Sequence, residues 1–133
     1  EATGMKKEDT ENLYIRKALE YIQNNYSNGV HVAEIADYVG VTRGYLHTVF
    51  MQEIGQSPRD YLINYRITRA AELLSVTELP IAGVAQSCGY GDPLVFSKMF
   101  KRKTGKTPYV YRRENWENAK KNLRGKSEKL DEL

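Results

Sequence analysis

Two short stretches of this chain carry side chains suited to reading base pairs, and they recur 50 residues apart: Arg43, Gly44, His47 and Thr48, then Pro93, Leu94, Ser97 and Lys98. On a helix, residues four positions apart share a face, so Arg43 with His47 and Gly44 with Thr48, and Pro93 with Ser97 and Leu94 with Lys98, present themselves together. A cationic side chain can donate to guanine O6 and N7, and an imidazole or hydroxyl can donate or accept at base edges. An aliphatic side chain can meet the thymine methyl. Arg43 suits a guanine or a phosphate, Lys98 suits guanine, and Leu94 suits a thymine methyl. Gly44 reads nothing itself but lets a helix come close. Lys101, Arg102, Lys106, Arg112 and Arg113 follow the second set. They are candidates for phosphate contact, which positions a protein without reading sequence.

Charge is distributed to match. The net charge is only +3, yet residues 80–113 carry Lys98, Lys101, Arg102, Lys103, Lys106, Arg112 and Arg113 against Asp92 alone. Residues 28–56 carry Arg43 against Glu34, Asp37 and Glu53. A basic cluster on a recognition-helix pattern is the electrostatic footprint of phosphate binding.

Other classes find little support. No Ser/His/Asp or Cys/His set, glycine-rich phosphate loop or paired carboxylates are visible, so no enzyme is expected. His31 and His47 with the single Cys88 make no zinc pattern, and no cofactor is implied. Cys88 falls at an apolar position and is expected in the core. A lone cysteine forms no internal disulfide, which suits a reducing cytoplasm. No apolar run approaches the ~18 residues of a membrane span, and no signal-peptide core is present.

The elements that must position these side chains are written twice. Ile35-Ala36, Gly40, Leu46, Phe50, Gly55, Ser57-Pro58 and Tyr61 recur as Val84-Ala85, Gly89, Phe96, Phe100, Gly105, Thr107-Pro108 and Tyr111. The offset is 49 up to the first glycine and 50 after it, which places one inserted residue near Gly91. Recurring apolar and glycine positions with differing surface residues signal two copies of one supersecondary unit. Each copy reads as helix, tight turn, helix. The alanine allows a close helix crossing, the glycine supplies positive φ, and Thr42 or Asp92 caps the second helix. Pro93 stands at the first helical position, where its missing N–H costs nothing.

The resulting expectation is an all-α fold: two helix-turn-helix subdomains joined by a long linker helix, about seven helices in all. Residues 1–10 read as a frayed segment, 11–56 as the first subdomain, 57–79 as the linker, 80–113 as the second subdomain and 114–133 as a charged tail. That tail either extends the last helix, anchored by Trp116, or stands free. A first helix is expected from Thr10 to Asn25 with Leu13, Ile15, Leu19 and Ile22 on its stripe, and a short last helix from Pro108 through Tyr111. The linker should bury Tyr61, Leu62, Ile67, Ala70, Leu73 and Leu74. Its ~16 residues span ~24 Å at 1.5 Å each. Major-groove faces on one side of duplex DNA recur every ~34 Å, so a rigid spacer of this length suits two adjacent recognition helices. Arg66 is equally suited to an internal carboxylate or carbonyl and to phosphate.

These residues resemble the DNA-binding domain of AraC/XylS-type bacterial transcription regulators. The resemblance covers roughly residues 11–113, and its most specific stretch runs from Cys88-Gly89-Tyr90 through Phe96-Ser97-Lys98-Met99-Phe100 to Thr107-Pro108 and Tyr111-Arg112. It implies seven helices, two recognition helices in successive major grooves of double-stranded DNA at an operator or promoter, and control of transcription. It also implies a separate effector-binding or dimerisation domain in the full-length protein, and a bacterial cytoplasmic, nucleoid-associated location. Gly83 stands where the family often has Glu, and Gly44 and Thr48 stand where it often places larger or basic side chains. The alternative is a protein-interaction module that contacts RNA polymerase and binds DNA weakly and without specificity.

Overall fold

The computed structural model describes residues 6–116. Six helices follow one another: α1 (Lys7–Asn25), α2 (Val32–Val39), α3 (Arg43–Glu53), α4 (Pro58–Val76), α5 (Ile81–Ser87) and α6 (Pro93–Thr104). A 3-10 turn, Tyr26–Asn28, follows α1. A seventh helix, α7, begins at residue 108 and is described through 116. There is no strand among the described residues, and the fold is all-α.

The chain divides into two compact units, Glu1–Arg66 and Ile67–Leu133, with the division inside the continuous helix α4. The first buries Ala18, Ile22, Val30, Ile35, Ala36, Val39, Leu46, Phe50 and Leu62. The second buries Ile67, Ala70, Leu74, Val84, Ala85, Cys88, Phe96 and Phe100. The first half of α4 thus supplies Leu62 to one core and its second half supplies Ala70 and Leu74 to the other.

The repeat is visible bond by bond. Val41 donates its N–H to the Ala36 carbonyl at 3.0 Å, and Tyr90 donates to Ala85 at 2.9 Å. Both bonds close a turn on a glycine of positive φ, +88° at Gly40 and +92° at Gly89. The following helices are capped by Thr42 Oγ1, accepting from Tyr45 N–H at 3.1 Å, and by Asp92 Oδ1, accepting from Leu94 N–H at 2.9 Å. Ser57 and Thr107 cap α4 and α7 through the N–H groups of Asp60 and Val110, at 3.1 and 3.2 Å. Even the ring contacts recur, edge to face: Phe50 on Tyr61 at 6.0 Å and Phe100 on Tyr111 at 5.3 Å.

Two local expectations are corrected, and an open alternative is decided as far as residue 116. Helix α1 starts at Lys7, ahead of the start expected near Thr10, and the Thr10 hydroxyl donates back to the Lys6 carbonyl at 3.2 Å. Glu8 and Asp9 then favour the first turn by facing the positive end of the helix dipole. The residues of α1 that bury fully are Glu11, Ala18 and Ile22, while Leu13, Ile15 and Leu19 are half-buried. Leu13 and Ile15 are two positions apart and cannot both lie on one stripe. Helix α7 continues past Tyr111 to at least Trp116. The remainder of the expected tail, 117–133, lies outside the described residues.

Candidate nucleic-acid interface

Helix α3 turns Leu46, Val49 and Phe50 into the core. What remains outward is Arg43, Gly44, His47 and Thr48, all exposed, with Met51 and Gln52 beyond them. A Cβ built on Gly44 meets nothing within 4 Å, and no positive φ is required there, so nothing within the protein demands glycine. The Thr48 hydroxyl donates to the Gly44 carbonyl at 3.1 Å. In this rotamer the proton points to the helix, and the oxygen lone pairs are what the side chain offers outward.

Helix α6 turns Phe96 and Phe100 inward, their rings 5.7 Å apart. Pro93, Leu94 and Lys98 are exposed and Ser97 is half-buried. Lys101 and Arg102 are exposed on the last turn beside Lys103, where cations also complement the negative end of the helix dipole. Arg43, Lys98, Lys101, Arg102 and Arg113 make no ion pair among the described residues, so their charges face solvent uncompensated.

The structure places three other cations differently. Arg112, expected at phosphate, turns inward: it is half-buried, and its Nε donates to the Leu74 carbonyl at 3.1 Å. That bond ties α7 to the end of α4, and in this arrangement the side chain is an internal brace. Lys106 is ion-paired with Glu114 across the turn into α7. Arg66, for which two roles were open, is 9% exposed; its Nε donates to the Tyr26 carbonyl at 3.0 Å and its Nη2 to Val30 at 3.1 Å. It fastens α4 to the segment between α1 and α2, satisfying the Tyr26 carbonyl at the cap of α1 and the Val30 carbonyl ahead of α2.

One exposed residue of the interface escaped the sequence reading. Val95 is 51% exposed beside Leu94, which is 73% exposed. The repeat equates Val95 with Tyr45, which is half-buried edge to face against Tyr14 at 5.9 Å. Burial, with the negative potential of Glu11 and the neighbouring Tyr14, holds the Tyr45 phenol above its usual pKa. The offset between the two copies was the available signal, but it argues for burial and here it misleads.

Two capped helices of this kind, each with an outward face that no core claims, define a double helix-turn-helix DNA-binding domain. A family model described as a helix-turn-helix domain matches residues 35–114. The raffinose operon transcriptional regulatory protein RafR of Pediococcus pentosaceus is 34% identical over 113 residues, covering 85% of this chain and 40% of that protein. Among solved structures, the C-terminal domain of AraT, a response regulator from Geobacillus stearothermophilus, superposes with a TM-score of 0.73 at 37% identity. That match covers 76% of this chain and 84% of the other. The DNA-binding domain of AdpA, solved with a target DNA, shares the fold with a TM-score of 0.71 at 22% identity, over 77% of this chain and 91% of its own. The chain belongs to the AraC-type helix-turn-helix family of transcription-regulator DNA-binding domains. It is not an enzyme. Among the described residues no helix is long and apolar enough to cross a membrane.

Proposed function

We propose that this domain reads a bipartite, asymmetric site in double-stranded DNA, one segment through α3 and one through α6. Arg43, His47 and Thr48 face bases from α3, with Gly44 admitting close approach. Leu94, Ser97 and Lys98 face bases from α6, with Pro93 at its leading edge. Lys101, Arg102 and Arg113 grip phosphate, and Lys106 joins them when its pair with Glu114 opens. The domain serves transcription control in a bacterial cytoplasm, at the nucleoid when bound, within a protein that carries a separate effector-binding or dimerisation domain.

The observation that carries this reading is the pairing of two equally built, equally capped helices with outward faces of different chemistry. Equal construction argues for one task done twice, and different faces argue for two different half-sites. Selection of the purified domain against random duplex DNA at moderate salt tests it. Enrichment of two unlike sequence blocks is expected. Uniform weak binding with no enrichment would move the weight to a protein-contact role.

A further inference from the structure

Leu94 stands in the first turn of the outward face of α6, on one line with Lys98 and Lys101, which follow it by four and seven positions. It is 73% exposed, and Val95 beside it is 51% exposed. An aliphatic pair at the head of a basic, wet stripe thus leaves at least half of its surface outside the core.

The first turn of α6 is also poorly equipped to hold a phosphate. Helix N-termini bind anions through free N–H groups. Pro93 has no N–H, and the N–H of Leu94 is taken by Asp92 Oδ1 at 2.9 Å, which leaves the N–H of Val95 as the one outside these bonds among the first three helical residues. The Asp92 carboxylate further sets a negative charge at this end, which repels phosphate. The side chains of Leu94 and Val95 are therefore the chemistry that this turn offers a duplex, and the apolar group on a major-groove edge is the thymine 5-methyl. Lys98, Lys101 and Arg102 supply the positive charge that brings the duplex to this face.

We infer that the first turn of α6 is a thymine-methyl reader, Leu94 covering the 5-methyl group of one thymine and Val95 packing at its edge. The second half-site then contains a preferred thymine within the segment that Lys98 reads. This inference rests on the proposed DNA-reading function and adds the base identity.

The test uses a duplex obtained by selection, with each thymine replaced in turn by deoxyuridine. The replacement deletes the methyl group and leaves pairing intact. At one or two positions in the α6 half-site the parent domain should lose affinity by about fourfold, the factor for burying one methyl group. Leu94→Ala should bind the parent duplex more weakly and should no longer distinguish thymine from deoxyuridine there. Its exposure means that the variant should melt with the parent. If deoxyuridine is harmless at every position while base-pair changes in that half-site still weaken binding, methyl reading is overturned and sequence reading stands. If random duplex yields no enriched sequence, the underlying function fails instead.

Discussion

Replacing Gly44 with alanine should make the domain more stable and a poorer DNA binder. Gly44 is the second residue of α3, with ordinary helical backbone, and its new Cβ meets no atom within 4 Å. Alanine in a helix is favoured over glycine by about 0.5–1 kcal/mol. Near a helix end the low value applies, about 0.5 kcal/mol, which raises Tm by about 2–4 °C in a unit of this size. Gly40 is the internal contrast. Its Cβ would also be unobstructed, yet its φ of +88° is left-handed. Gly40→Ala should therefore lower stability by about 1–2 kcal/mol from conformation alone. On DNA the order reverses. If Gly44 is where α3 approaches the bases, an added methyl group forces the helix outward. Overpacking of a tight contact costs about 1–3 kcal/mol, which is about 5- to 150-fold in Kd. Thermal melting followed by fluorescence anisotropy on the selected duplex measures both. A Gly44→Ala domain that melts higher and binds as tightly as the parent refutes close approach at this residue.

Three further outcomes are expected. Phe100→Ala should cost about 3–5 kcal/mol in chemical denaturation, because a fully buried ring touching both Phe96 and Tyr111 leaves a cavity; near-parental stability would contradict the packing of α6. Lys98→Ala should cost about 1–3 kcal/mol of binding and relax specificity at one base pair, whereas equal loss on all sequences would make it a phosphate contact. The phenols of Tyr45 and Tyr61 are held above their usual pKa, chiefly by burial. Their contribution to stability is complete below the unfolded value of about 10 and is lost as pH rises through the folded values. Ultraviolet titration of the folded domain, differenced against its Tyr45→Phe and Tyr61→Phe variants, should accordingly show phenolate forming late at these positions, and normal titration would remove that argument.

Much of this architecture was legible because the chain states it twice. The positive-φ glycines Gly40, Gly55, Gly89 and Gly105, the caps Thr42, Asp92, Ser57 and Thr107, and the ring pairs on Phe50 and Phe100 all fall at matched positions, so each copy checks the other. Legibility faded where a residue depends on packing particular to one copy. Arg112 looked like one more cation in a basic run, and only the end of α4 shows that its Nε meets the Leu74 carbonyl. Glu11 gave no sign of burial, since a carboxylate early in a helix is expected to face solvent; it sits beneath Lys7, 3.9 Å away. Val95 was obscured by the repeat itself, because its counterpart Tyr45 has Tyr14 to pack against. Arg66 could be assigned only once the two carbonyls it holds were known.

The central claim is that two helices read two separate segments of one site. Selection from random duplex, run in parallel on the parent, His47→Ala and Lys98→Ala domains, tests it most directly. The account predicts two enriched blocks for the parent, with His47→Ala relaxing one and Lys98→Ala relaxing the other. A single block altered by both variants, or two blocks altered by neither, would contradict it.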